Sequence, residues 1–468
     1  MGREIIWLAL SLLISLPISF GCQGPQIKER EGNNFLDPQS RLSKGEQHVL
    51  MLAVRFPDAE PTVPLERIRN KAVIDLNEYI KEQSFGLTWV KADFRGWIKL
   101  PDPLSKYNVS PYNFKVDRTR VRKLIEDSMT AVEKEVDFSK YQHILIIPGV
   151  HTTPGKGYGM LCYCANPGML TGVRRNLAYA TLRSKGGKEF RGGVFVGAEN
   201  AHLGMFAHDF FHALGGLHEN RRLVPCLYDF ERQSDASRSP SPEHHAVYMG
   251  PWDIMSEHFV KRNEPSPGIS SFTKIRLGWI SPGQTLLVHP GETAHTVLSP
   301  LSREGDTLVV KIPLKGGEYY LVENRQPLGF DRYLPNSGLL ILRVDPDAEE
   351  GSGTVKVVNA NKSAHHFSEA TFRLDGRNRD HFVDRGNNIA IIPLWSTKQK
   401  QGVLVTTPQK SPEALKAALG IQKLLEQYPE PRGKDEHQLI QDCIASFENF
   451  DFKRSSDLAY PFLPAITD

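Results

Sequence analysis

The stretch HDFFHALGGLHE, from His208 to Glu219, decides the reading of this chain. Its pattern is HDxxHxxGxxHE. Residues four apart on an α-helix project from one face, one turn above each other. On a helix, His208 and His212 therefore offer two imidazole nitrogens to a single tetrahedral zinc ion. Gly215 is expected to take a positive φ and let the backbone leave the helix. That turn would bring His218 round as a third nitrogen ligand. Three protein ligands leave a fourth position for water, which is the catalytic rather than the structural arrangement.

An HxxxH pair alone is more often a packed or surface pair. Here Gly215 and His218 fall at two further required offsets, and WDIMS (Trp252 to Ser256) places Met255 downstream. Phe206, Phe210, Phe211 and Leu214 supply apolar cover for a half-buried helix. The unusual letter is Asp209. The residue after the first histidine of such a motif is normally Glu, the general base of a zinc peptidase. Asp209 has the same chemistry with a reach shorter by roughly 1.3 Å, and a misplacement of about 1 Å can cost on the order of 10²-fold. Two readings stay open: a working but short base, or a metal-binding homologue without turnover.

Working outward, the 468 residues suggest two or three domains, and 40% hydrophobic residues is ordinary for a globular protein. Net charge is +3 from 57 basic and 54 acidic side chains, too balanced to argue for a nucleic-acid partner. Residues 1–21 read as a signal peptide, with Arg3 before an apolar run from Ile5 to Phe20. Cys22 follows small residues and is a candidate for lipidation, which would attach the chain to a membrane; plain secretion and an uncleaved anchor are the alternatives. Residues 22–44 are polar and read as a flexible spacer, with order beginning near His48.

Within 45–284, His48–Phe56 is an expected buried strand, and Ile68 to Ile80 carries a helical stripe. Ser84–Leu100 alternates like a strand pair. A helix is expected over Arg118–Glu133 and strands over Ile144–Ile147 and Val194–Val196, with a loop-rich insertion over 151–193. From Thr285 the texture changes to short alternating strands divided by Gly and Pro, so 285–400 reads as a mainly β domain. Residues 401–468 read as a helical C-terminal extension, with helices at 411–427 and Glu436–Phe447. The expected fold class is α+β.

With these pieces placed, the chain resembles the immune inhibitor A family of bacterial zinc metallopeptidases. The similarity runs from about His48 to about Asp345. It is carried by VRFPD (Val54–Asp58), EQSFGLTWV (Glu82–Val90), the HDxxHxxGxxH helix, YMGPWDIMS (Tyr248–Ser256), FTKIRLGWI (Phe272–Ile280) and YYLVENRQPLGFDRYLPNSGLLILRVD (Tyr319–Asp345). The resemblance implies a metzincin-like catalytic domain, one zinc ion and endopeptidase action on protein or peptide substrates outside the cytoplasm. By motif position His208 and His212 would be the first two zinc ligands. His218 stands where the family usually has Asp, and Met255 matches the Met-turn. Tyr248 would help stabilise the oxyanion, or simply pack.

Weaker candidates complete the list. Asp375, Asn378, Asp380 and Asp384 offer oxygen ligands for calcium, or form a solvated turn, since they fit no EF-hand pattern. His244 and His245 read as surface residues. Glu323, Asn324 and Arg325 read as a structural polar network. Cys162, Cys164, Cys226 and Cys443 could form disulfides in an exported protein.

Overall fold

A computed structural model describes residues 35–237, 241–375, 380–396, 399–428 and 433–462. The signal segment and Cys22 lie outside the described residues, as does Asn378. The fold is mixed, with helices, three larger sheets and two short two-stranded ladders. The first sheet contains β1 (Gly45–Arg55), β2 (Thr88–Lys99), β3 (His143–Pro148), β4 (Cys162–Asn166) and β5 (Gly193–Gly197), in the order β2-β1-β3-β5-β4. The pairs β1–β2, β1–β3 and β3–β5 are parallel, and the edge strand β4 runs antiparallel to β5.

Alternate side chains of a strand point to opposite faces, and a sheet covered on both faces needs apolar residues on both. Val49, Met51, Ala53, Leu145 and Ile147 face one core, which includes Leu76, Tyr79 and Ile80 of α1 (Leu76–Gln83) and Phe206, Phe210 and Phe211 of α3 (Leu203–Gly215). Leu50, Leu52, Val54, Ile144 and Ile146 face a second core with Val121, Leu124, Ile125 and Met129 of α2 (Arg118–Val132). Asp117 starts α2 by accepting from the backbone N–H groups of Thr119 and Arg120.

Two expectations need correction here. The segment expected as a strand pair is the single strand β2, paired with β1 from Gly45–Thr88 to Arg55–Lys99. Gly96 within it is no turn residue: a Cβ there would lie 2.4 Å from the Leu65 side chain, so the glycine admits a packed neighbour. The end of the expected spacer is also firmly held. Leu36 is fully buried, the Ser40 hydroxyl donates to Leu214 O, and the Gln39 amide donates to Ile275 O and Ile280 O.

The second unit is a sandwich. One sheet has β6 (Thr285–Leu287), β8 (Val309–Pro313), β9 (Tyr319–Arg325), β10 (Gly338–Val344) and β11 (Val355–Val357) in the order β6-β8-β9-β10-β11. The other has β7 (Ala294–Leu298), β12 (Phe382–Asp384), β13 (Ile389–Ser396) and β14 (Gln401–Thr406) in the order β7-β14-β13-β12. Strand β14 therefore extends the β unit past residue 400, where the helical extension was expected to begin. Val310, Val322 and Ile341 pack against Ile391, Val403 and Val405 between the sheets. The opposite face of β8–β10, with Leu321, Leu340 and Leu342, joins the same core as α3 and Trp252. Three helices, α4 (Ser411–Gln427), α5 (Lys434–Glu448) and α6 (Phe452–Ala459), lie against the outer sheet through Ala414, Ala417, Phe447 and Phe452. Among the described residues no helix is long and apolar enough to cross a membrane.

The two units are also joined by charge. Arg325 on β9 is fully buried and donates to Glu323 (2.9 Å), to both Asp331 oxygens (2.8 and 2.9 Å) and to the carbonyls of Trp252 and Gly268 (both 3.2 Å). The expected polar network is therefore present, and it reaches the Trp252–Ser256 stretch. Removing one partner of a buried ion group leaves an uncompensated charge, at about 3–5 kcal/mol. Arg325→Met is predicted to lower unfolding free energy by about that much in urea titrations at neutral pH.

His143 gives a second test. It is buried against the Phe210 ring, 5.1 Å between centroids, and burial pushes its pKa down to about 3. An unfolded histidine titrates near 6.5. Its neutral form therefore supports the fold fully above about pH 6.5, and that support is lost as pH falls from there toward about 3. His143→Gln should flatten this part of the acid-stability curve, read as unfolding midpoints at pH 7 and pH 4.5.

Candidate metal centre

Helix α3 runs through the core, and His202 caps it by accepting from the Gly204 N–H. The four-residue spacing puts His208 and His212 on one face, with their Nε2 atoms 3.1 Å apart. Each ring is aimed by a hydrogen bond at its far nitrogen. His208 Nδ1 lies 2.8 Å from Ile254 O, and His212 Nδ1 lies 2.6 Å from Val224 O. A carbonyl only accepts, so both Nδ1 atoms carry the hydrogen and both Nε2 atoms present lone pairs. Burial drives the His208 pKa down to about 4 and holds His212 well below its ordinary value.

The third member of the cluster is Cys226. Its sulfur lies 3.5 Å from His208 Nε2 and 3.3 Å from His212 Nε2, and all three residues are buried. His218, expected as the third ligand, is elsewhere. The short strands Leu217–His218 and Arg221–Arg222 form a hairpin turned by Glu219 and Asn220, both at positive φ. That reversal is the two-residue type with left-handed central residues. It leaves the His218 side chain exposed, 3.7 Å from Glu219, and returns the chain so that Val224 and Cys226 face the helix. Gly215 is the last helical residue, and the positive φ falls on Gly216 instead. The need for glycine at 215 is steric: a Cβ would lie 2.8 Å from the Val224 side chain.

The donor set fits a metal ion. Tetrahedral zinc with Zn–N of about 2.0–2.1 Å and Zn–S of about 2.3 Å has ligand-to-ligand edges of about 3.3–3.6 Å. The observed edges of 3.1, 3.3 and 3.5 Å are close to these. Without a shared cation, two buried lone pairs would point at each other. Burial also pushes the Cys226 thiol well above its ordinary pKa, and a bound cation would reverse this by stabilising the thiolate.

These groups open on a cavity of ≈ 170 Å³ that is also lined by Asp209, Cys162, Tyr228 and His258. Asp209 is 3% exposed, beside Cys162 and Cys164 in the cavity lining, and its Oδ2 has no hydrogen-bond partner. Burial raises its pKa to about 7, against the opposing pull of the Cys162 hydrogen bond and the Arg222 charge. The Tyr228 hydroxyl accepts from the Asn113 side-chain amide at 3.4 Å, and the His258 ring stands 4.8 Å from that of His208. Met255 is buried below: its carbonyl accepts from Leu227 N–H (2.8 Å), and its N–H donates to Asp253 Oδ1 (2.8 Å).

Tyr248 is not brought to the cluster; its hydroxyl donates to Asp229 Oδ2 at 3.0 Å, and it does not line the cavity. His245, expected on the surface, does line it. The described cysteines Cys162, Cys164, Cys226 and Cys443 are free, and the first three surround this site rather than pairing. The acidic residues proposed for calcium form no cluster of three among the described residues; Asp384 Oδ2 accepts from Tyr320 (2.8 Å) and Asn387 (2.7 Å). Sequence reasoning missed Cys226, Tyr228 and His258. The available signal for the first was a cysteine set in the apolar run LVPCL just after the zinc motif.

No family model matches the chain, and no curated protein matches it in sequence. The assignment of ligands is open to a direct test. If the cluster holds an ion, Cys226→Ala should weaken added Zn²⁺ by more than the roughly 10–100-fold typical of losing an outer partner. His218→Ala should leave zinc content unchanged, by elemental analysis of both proteins.

Proposed function

We propose that the chain is an exported zinc-dependent endopeptidase, with the metal held by His208, His212 and Cys226. The observation that carries this reading is the triangle of two Nε2 atoms and one Sγ opening on a cavity that Asp209 also lines. Two imidazoles and a thiolate suit zinc by ligand softness. Three ligands leave room for one more, as catalytic rather than structural zinc sites do. Bound here, zinc would acidify a water to a pKa of about 7 and polarise a scissile carbonyl.

The chain's own residues supply the remaining parts. Asp209 follows His208 on the same helix, and its unpartnered Oδ2 is the atom available to accept a proton and return it to a leaving amine. Cys162 and Cys164 of the edge strand line the same cavity beside it. The Ile254 and Val224 carbonyls hold the imidazoles in the tautomer that a metal requires. Tyr228 stands at the cavity in place of Tyr248 as the available hydroxyl. Peptide as the substrate class, action outside the cell, and attachment through Cys22 rest on the sequence resemblance and on residues 1–22.

A metal-bound protein that binds a partner without turnover is the second reading, favoured by the short Asp209 side chain. An unbiased peptide pool, digested with and without a chelator, separates the two. The endopeptidase reading predicts chelator-sensitive cleavage. Asp209→Asn should lower kcat by about 10²–10⁴-fold with zinc still bound. Absence of cleavage by folded, zinc-loaded protein would leave the binding reading.

A further inference from the structure

The β10–β11 connection carries the sequence DPDAEEGSGT, Asp345 to Thr354. It belongs to the second unit, yet it lies on the loop that bears Cys226. Glu350 is buried, and its Oε1 accepts from two donors: Arg222 Nη1 at 2.9 Å and the Cys226 backbone N–H at 3.0 Å. Arg222 is fixed in turn by Pro167 O (3.1 Å) and Cys164 O (3.4 Å), beside the edge strand that covers Asp209. One carboxylate thus ties together the Cys226 loop, the edge strand and the second unit.

The rest of the connection is seated to match. Glu349 pairs with Arg174 and Arg175, and the Phe230 N–H donates to Gly351 O at 3.1 Å. Gly351 has φ +75°, and a Cβ there would lie 2.2 Å from the Phe230 ring, so only glycine allows this approach.

We infer that Glu350 is a positioning residue for the metal centre, holding Cys226 at ligand distance from His208 and His212, so that the centre is completed by the second unit. This rests on the reading of Cys226 as a ligand. A thiolate ligand on a loop has more freedom than imidazoles on a helix. Its place is set by the backbone, and the Cys226 N–H is pinned by a carboxylate that Arg222 neutralises and immobilises. Outer partners of metal ligands act in this way.

The test uses the full chain loaded with Co²⁺ or Zn²⁺. Cys226→Ala should abolish the sulfur-to-cobalt charge-transfer band. If that band survives in Cys226→Ala, the ligand reading itself fails, whatever Glu350 does. Given its loss, Glu350→Ala should weaken zinc about 10–100-fold in chelator competition and shift or diminish the same band. Glu350→Gln should fall between, because its amide oxygen still accepts from Cys226 N–H without neutralising Arg222. His218→Ala, which alters an exposed side chain outside the cluster, should leave the band of folded protein unchanged. Folded Glu350→Ala with parental zinc affinity and an unaltered cobalt spectrum would overturn the inference. Should Glu350→Ala fail to fold, Arg222→Met/Glu350→Met removes both charges together and is read by the same two measurements.

Discussion

Two hydrogen bonds set the state of the buried histidine pair. The carbonyls of Ile254 and Val224 take the Nδ1 hydrogens of His208 and His212, leaving two buried lone pairs face to face at 3.1 Å. That arrangement is unfavourable unless something positive lies between them. Much of the surrounding structure can be traced to keeping those carbonyls in place. Ile254 belongs to the stretch whose Asp253 accepts from the Met255 N–H at Oδ1 and from Ser270 and Thr273 at Oδ2. Val224 reaches the helix only because Gly215 has no side chain.

The second unit is part of this support. Arg325 donates to the Trp252 carbonyl two residues before Ile254, and the Asp345–Thr354 connection grips the other side of the cluster. Both contacts come from one sheet of the second unit, through β9 and the β10–β11 connection. A carboxylate and a guanidinium that are both buried are held there by geometry and by each other, at an energetic cost that apolar residues would avoid. Their use at both contacts fixes direction and register between units, which dispersion forces alone define less sharply.

How much of this was legible in the sequence follows from what each feature depends on. The helix with its paired histidines was legible, because i and i+4 on one turn is a local rule. Strands β1, β3 and β5 and the β texture after Thr285 were legible through continuity or period-2 alternation, whereas β2 read as a pair and β4 lay in an expected loop-rich insertion. Cys226 was not, because its approach depends on Glu219 and Asn220 both taking left-handed conformations, which no glycine announces. His218 therefore looked like a ligand by its offset and is carried outward instead. The packed strap at Leu36–Ser40 was hidden by its polar composition: its role lies in side-chain hydrogen bonds to carbonyls far along the chain. Gly96 and Gly215 were legible as glycines but not in their reasons, since both are required by a neighbour's bulk rather than by φ.

The hairpin at Glu219 and Asn220 has a thermodynamic side. Its tight reversal pairs the backbone between His212 and Cys226 locally, so part of the ordering cost of that segment is met by the fold itself. The crowding of two histidine lone pairs is a separate cost, which a cation held there would relieve. Stability against unfolding would then rise with the concentration of any ion the three donors accept.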